Sequence, residues 1–122
     1  MVAVNVIILV LISVVLGAFG QISMKKGLKN KPIQLNELVS LKLFNTVFEP
    51  YVFIGAVFYI IATLIWFVVL SNAELSFAYP LIGLGYIVTT IFAVTLLGED
   101  VAFLRWIGII LIIIGAILVG RS

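Results

Sequence analysis

Four apolar runs constrain this chain more than any other feature: Val2 to Met24, Tyr51 to Leu70, Phe77 to Leu97 and Leu104 to Val119. An α-helix rises about 1.5 Å per residue, so crossing roughly 30 Å of hydrocarbon takes about 20 residues. The first three runs reach that length. The fourth is shorter, but Arg105 and Trp106 beside it can sit at the membrane interface. The composition agrees: 65% of the 122 residues are hydrophobic and 10% charged, against about a quarter charged in a soluble domain. The expectation is an all-α integral membrane fold, one domain of four transmembrane helices over residues 1–122.

The first run has no basic segment before it, exceeds the length of a signal-peptide core, and is followed by three more spans. It is read as a mature helix. Lysine and arginine then set the orientation. Lys25, Lys26, Lys29, Lys31, Lys42 and Arg105 fall on one side of the predicted membrane and Arg121 on the other, six against one. The positive-inside rule therefore expects a multi-pass protein of the cell (inner or plasma) membrane. Its first and third connections would be cytoplasmic and its termini outside. A bias of this size argues for one fixed orientation.

The first connection carries its own pattern. Ile33, Leu35, Leu38, Leu41, Phe44, Val47 and Phe48 recur at mostly helical spacing among polar residues, between Pro32 and Pro50. This predicts a short amphipathic helix lying at the membrane interface.

The sequence has no cysteine and no histidine, and its carboxylates fall only in the connections. No nucleophile–base pair and no metal-ligand cluster can be assembled. The expectation is therefore no enzyme, no cofactor, no metal and no nucleic-acid partner.

In apolar spans the small and polar residues are the informative ones. Ser13, Gly17 and Gln21 share one face of the first helix, with Gly20 and Met24 beside them. The second helix aligns Gly55, Tyr59, Thr63 and Trp66, and the third Tyr79, Gly83, Tyr86 and Thr90. Such faces suit either close helix packing or a cavity in which polar and aromatic groups orient a ligand. Gly108 and Gly115 stand seven apart in the otherwise Ile/Leu fourth helix, a surface for packing or for a partner subunit. Pro80 is expected in the first turn or so of the third helix, with Gly83 and Gly85 following. A helix start loosened in this way can hinge, and such interruptions mark transport sites. Glu99 and Asp100 are placed to favour the start of the fourth helix, or to meet a first-loop lysine or serve a gate.

The stretches "GQISMKKG", "AYPLIGLGYIVTTIFAVTLLGE" and "RWIGIILIIIGAILVG" resemble the small four-helix members of the drug/metabolite transporter superfamily. Within it, the chain looks most like the small subunits of the flippase for aminoarabinose linked to undecaprenyl phosphate. The resemblance implies a transporter built from two four-helix subunits and a substrate with a polyprenyl tail and a phosphate–sugar head. Gln21, Lys25, Tyr79, Pro80 and Glu99 match its motif positions. The chain is also similar to the small multidrug resistance transporters, whose coupling glutamate corresponds here to Gly17.

The expected function is thus a transporter subunit that flips a lipid-linked head group. Gln21, Lys25, Tyr59, Trp66, Tyr79 and Tyr86 are the candidate substrate residues. Gly17, Gly20, Pro80, Gly83 and Glu99 are the structural or gating candidates, and Gly108 and Gly115 the dimer contact. Partners are the bilayer and a second subunit, either an oppositely oriented sister or a parallel copy. The alternatives are an exporter of cations or small metabolites and a non-transporting scaffold.

Overall fold

The structure, a computed structural model, describes residues 2–30, 32–37 and 39–122, without the side chains of residues 2–4. Lys31 and Leu38, both used in the sequence reading, lie outside the described residues. Helix α1 runs from Val2 to Asn30, six residues beyond the expected end at Met24. Met24, Lys25, Lys26, Leu28 and Lys29 are all good helix formers, so the apolar run ends there but the helix does not. Pro32 lies two residues past its last turn.

The first connection departs from the single amphipathic helix expected between the prolines. It holds a 3-10 turn, Leu35–Glu37, and a seven-residue helix α2, Leu41–Val47. Ser40 separates them. Its hydroxyl donates to the Glu37 carbonyl at 2.7 Å and accepts from the Lys42 N–H at 3.3 Å, the hydrogen bonding of an N-cap. Lys42 also pairs with Glu37 at 2.9 Å, the one ion pair among the described residues. Rings of Phe44, Phe48 and Phe53 follow one another at 4.9 and 6.0 Å, tying α2 to the next helix.

Helix α3 spans Pro50–Asn72. Pro50 occupies the first helical position, where its missing donor is not needed. Glu49, only 7% exposed, caps the helix by accepting from Val52 N–H at 3.0 Å. The third span is not one helix. It comprises α4, Leu75–Leu81, a 3-10 turn, Ile82–Leu84, and α5, Gly85–Leu97. Pro80 is therefore the sixth residue of its helix rather than a first-turn residue. The helix begins earlier than the apolar run, directly after the extended Glu74. Pro80 lacks the N–H that would bond the Ser76 carbonyl, and the backbone tightens into the 3-10 turn immediately after it. Gly98, in the left-handed conformation at φ 67°, ends α5.

Helix α6 spans Phe103–Arg121, and its 19 residues are enough to cross. Its N-cap is Ala102, with no side-chain cap, so the capping role expected of Glu99 and Asp100 is not found. Neither forms an ion pair among the described residues. Glu99 instead gives its backbone N–H to the Ala93 carbonyl at the end of α5.

All four spans are long and apolar enough to cross a membrane. Helix α1 is the spine: it packs most extensively on α3 and next on α5, whereas α6 packs on the third span. Val6, Val10, Val69, Ala78 and Leu81 form the buried core, at the end of the bundle that carries the termini. Toward the other end, small residues let α1 and α3 touch. A Cβ on Gly20 would lie 2.7 Å from the Gly55 carbonyl oxygen, closer than real Cβ contacts come. Gly27 is pressed in the same way against Glu49 and Val52, a contact the sequence reading did not single out.

Candidate functional site

Where the core ends, a cavity of about 350 Å³ opens at mid-height in the bundle. Its back wall is α1, through Ser13, Val14, Gly17, Ala18 and Gln21. Helix α3 contributes Tyr59, Ala62, Thr63 and Trp66 on one side. The third span contributes Tyr79, Ile82, Gly85, Tyr86 and Thr89 on the other. Helices α3 and α5 scarcely touch, so the cavity is open between them, and Tyr59, Tyr79 and Tyr86 are exposed there.

Five of the six residues put forward for substrate therefore line one cavity: Gln21, Tyr59, Trp66, Tyr79 and Tyr86. Gly17 joins them. Trp66 belongs both to the cavity and to the edge of the core, and its ring meets that of Tyr79 edge-on at 6.3 Å. The pair forms the end of the cavity nearer the termini.

Lys25 is not a lining residue. It stands one helical turn beyond Gln21, about 6 Å along α1, and close in phase to Val14 and Ala18 at about 100° per residue. It thus continues the cavity's stripe, exposed and without a partner among the described residues. The neighbouring lysines are engaged. Lys26 lies over the Tyr51 ring at 4.8 Å, and Lys29 donates to the Leu97 carbonyl at 3.0 Å. That last contact places an ammonium at the negative end of α5.

Not every residue of the predicted stripes faces the cavity. Gly20 and Gly55 are taken up by the α1–α3 contact, and Met24 packs on Gly55. On the third span Thr89 replaces Thr90, and Gly83 turns away toward Ile112 of α6. The 3-10 turn explains the exchange. Three residues at roughly 120° instead of 100° advance the phase by about 60°. That brings Thr89 into line with Tyr79 and rotates Thr90 and Gly83 out. Gly85 is buried against Val14 of α1. Gly108 and Gly115 have nothing within 4 Å of an added Cβ, so among the described residues they pack against no other helix.

The cavity's chemistry is hydroxyl, phenol, indole and carboxamide. Among the described residues no acidic or basic side chain lines it. A second, shallower hollow of about 620 Å³ lies at the terminal end, between Val6, Asn72, Glu74, Phe77 and Val119. Among the described residues no group of acidic side chains could hold a metal ion.

The whole arrangement has relatives. The chain matches the EamA-like transporter family over residues 1–121. It is 33% identical to the probable 4-amino-4-deoxy-L-arabinose-phosphoundecaprenol flippase subunit ArnF of Shewanella sediminis, over 93% of this chain and 86% of that one. Matches to the corresponding ArnE subunits are shorter. That of Pseudomonas syringae pv. syringae is 34% identical over 48% of this chain and 55% of its own. That of Escherichia coli O45:K1 is 35% identical over 51% and 56%. The chain thus spans about half the length of the ArnE relatives it matches. No solved structure matches it. Four membrane-crossing helices, an uncharged cavity held at mid-height by α1, and a family match from end to end lead to one conclusion: the chain belongs to the EamA-like transporter family.

Proposed function

We propose that this chain is one subunit of a translocase for a lipid-linked sugar, moving a polyprenyl-phosphate head group across the membrane while the tail stays in lipid. One observation carries the reading: the polar and aromatic residues of three helices converge on a single uncharged cavity at mid-height. The cavity is in the size range of small-molecule sites. Its open side, between α3 and α5, lets a prenyl chain remain in the bilayer while the sugar enters. ArnF and ArnE, named as subunits of a flippase for such a lipid, support the substrate class.

Lys25 is the residue placed to meet the phosphate first. It continues the cavity stripe on α1, and Lys26 and Lys29 have other contacts. An ammonium is a strong donor to phosphate oxygens. From there the head passes Gln21 and Tyr86 toward Trp66 and Tyr79. Pro80 and the 3-10 turn after it are the hinge candidate, because Tyr79 and Tyr86 lie on opposite sides of that break. The lysine-rich end faces the cytoplasm by the positive-inside rule, and the termini face outward in the cell membrane.

Four helices enclose little volume, and a second subunit enlarges the path while the side between α3 and α5 stays open to the lipid tail. The exposed α6 face with Gly108 and Gly115 is the contact surface. An oppositely oriented sister subunit is favoured over a parallel copy, because the charge bias of six against one fixes this chain's own orientation. A proton-coupled exporter of cations is the weaker reading: Gly17 sits on the cavity wall where such a transporter needs a carboxylate, and no Asp or Glu lines the cavity.

The test is transbilayer movement of a polyprenyl-phosphate-linked sugar in membrane vesicles from cells that carry or lack the chain. Movement should depend on the chain and fall at least tenfold with Gln21→Ala, and binding at the mouth should weaken with Lys25→Ala. If movement is the same with and without the chain, the protein is no translocase. If both variants behave as the unaltered chain does, the head-group path is wrong.

A further inference from the structure

Lys29 belongs to the cavity stripe of α1 although it lies beyond the cavity. It stands eleven residues past Ala18 and four past Lys25, so at about 100° per residue it falls within roughly 40° of both in phase. Two lysines one turn apart on a helix face are neighbours, and their like charges repel. Both ammonium groups can reach a single phosphate from there. In this structure Lys29 is turned to α5 instead, where its ammonium donates to the Leu97 carbonyl at 3.0 Å.

That hydrogen bond closes a seam between two helices. Three contacts follow in the same order along α1 and α5: Val14 against Gly85, Phe19 against Phe92 with ring centroids 5.0 Å apart, and Lys29 at Leu97. The Gly85 end is tight, because a Cβ there would strike the Val14 side chain. It also lies directly after the 3-10 turn, the hinge candidate. The Leu97 end is loose. Helix α5 scarcely touches α3, and the Leu97 carbonyl belongs to the last turn, where the helix itself supplies no partner. The bond to Lys29 is exposed, so water replaces the ammonium when it leaves.

We propose that Lys29 is a latch on α5 that the phosphate of the arriving lipid opens. The proposal rests on the translocase reading and adds to it a second phosphate residue and the step that follows binding. A phosphate seated on Lys25 offers the Lys29 ammonium an ionised acceptor in place of a neutral carbonyl, and the Coulomb attraction favours the exchange. Lys29 leaves Leu97, the two lysines gain a shared counter-charge, and the end of α5 is freed. Helix α5 then swings about the 3-10 turn and carries Tyr86 and Thr89, both cavity residues, away from α1. The cavity thus widens for the sugar only once the phosphate is in place. Lys26 has no part in this: it lies over the Tyr51 ring, about 100° round the helix from Lys25.

Spin labels at Asn30→Cys on α1 and Leu96→Cys on α5, both exposed positions, report the separation of the two helix ends in lipid vesicles. The probe is farnesyl phosphate, a short prenyl phosphate without a sugar, with farnesol as its uncharged counterpart. Farnesyl phosphate should part the labels by several ångströms and farnesol should leave them together. Lys29→Met should part them without any ligand and weaken farnesyl phosphate binding severalfold, and Lys29→Arg should restore both. Lys25→Ala should weaken binding yet keep the labels together in the absence of ligand. Labels that stay together with farnesyl phosphate, or that part equally with farnesol, overturn the proposal. So does a Lys29→Met protein with the resting separation of the unaltered chain. Translocation is read separately: if the labels part as expected while a polyprenyl-phosphate-linked sugar moves equally with and without the chain, the latch is confirmed and the translocase reading is overturned.

Discussion

Gly20 and Gly55 bring the backbones of α1 and α3 into direct contact: a Cβ on Gly20 would stand 2.7 Å from the Gly55 carbonyl oxygen and 3.1 Å from the Tyr59 nitrogen. In lipid, helices gain little from apolar burial and associate through such close packing. The contact also holds Tyr59 and Gln21, one residue or one turn away, at the cavity. Gly55→Ala should destabilise the bundle by about 1–3 kcal/mol, the usual cost of overpacking. Gly108→Ala, on a surface with open space around it, should change stability by less than about 0.5 kcal/mol. Reversible unfolding in detergent micelles checks both.

The 3-10 turn at Ile82–Leu84 decides which threonine faces the cavity. Thr89→Cys should react with a water-soluble thiol reagent through the cavity and be protected by bound head group. Thr90→Cys, rotated away, should react slowly and show no protection. A reversed pattern would mean that the third span is a continuous helix.

Glu37 gives the pH dependence of the first connection. The hydrogen bond from Lys42 holds its carboxyl below the usual carboxylate range. A depressed folded-state value means that the contribution is present above the unfolded value and is lost as pH falls through the folded one. Protection factors of backbone amides in residues 34–46 should therefore be flat from pH 8 to 5 and fall only at pH values below the usual carboxylate range. Because the group is at the surface, the loss should stay local and leave the spans intact.

The spans were legible in the sequence because hydropathy is a length argument, and lipid admits few alternatives to helices. So was much of the cavity. Ser13, Gly17 and Gln21 keep phase along an unbroken helix, as do Tyr59, Thr63 and Trp66, and periodicity places each set on one wall. Two things were not legible. Which glycines meet a neighbour depends on the partner helix, so Gly20 and Gly55 look like Gly17 in sequence but pack instead of lining. Periodicity also assumes a constant turn angle. The 3-10 turn after Pro80 breaks that assumption and exchanges Thr90 for Thr89. Glu99 and Asp100 carried the right charge for a helix start, yet the backbone around Gly98 directs the Glu99 N–H back to Ala93. Local charge does not reveal such a turn.

If the head group travels through the cavity, filling the cavity at Gly17 stops it. A Cβ there would lie 3.9 Å from the Ala62 Cβ, an ordinary contact, and Gly17 lines the cavity, so side-chain volume added at this position takes up cavity space. Translocation of the polyprenyl-phosphate-linked sugar should be measured for Gly17→Leu beside its unfolding midpoint in the same preparation. At least a tenfold loss of translocation with an unchanged midpoint is expected. Translocation at the unaltered rate, with the cavity filled, would contradict it.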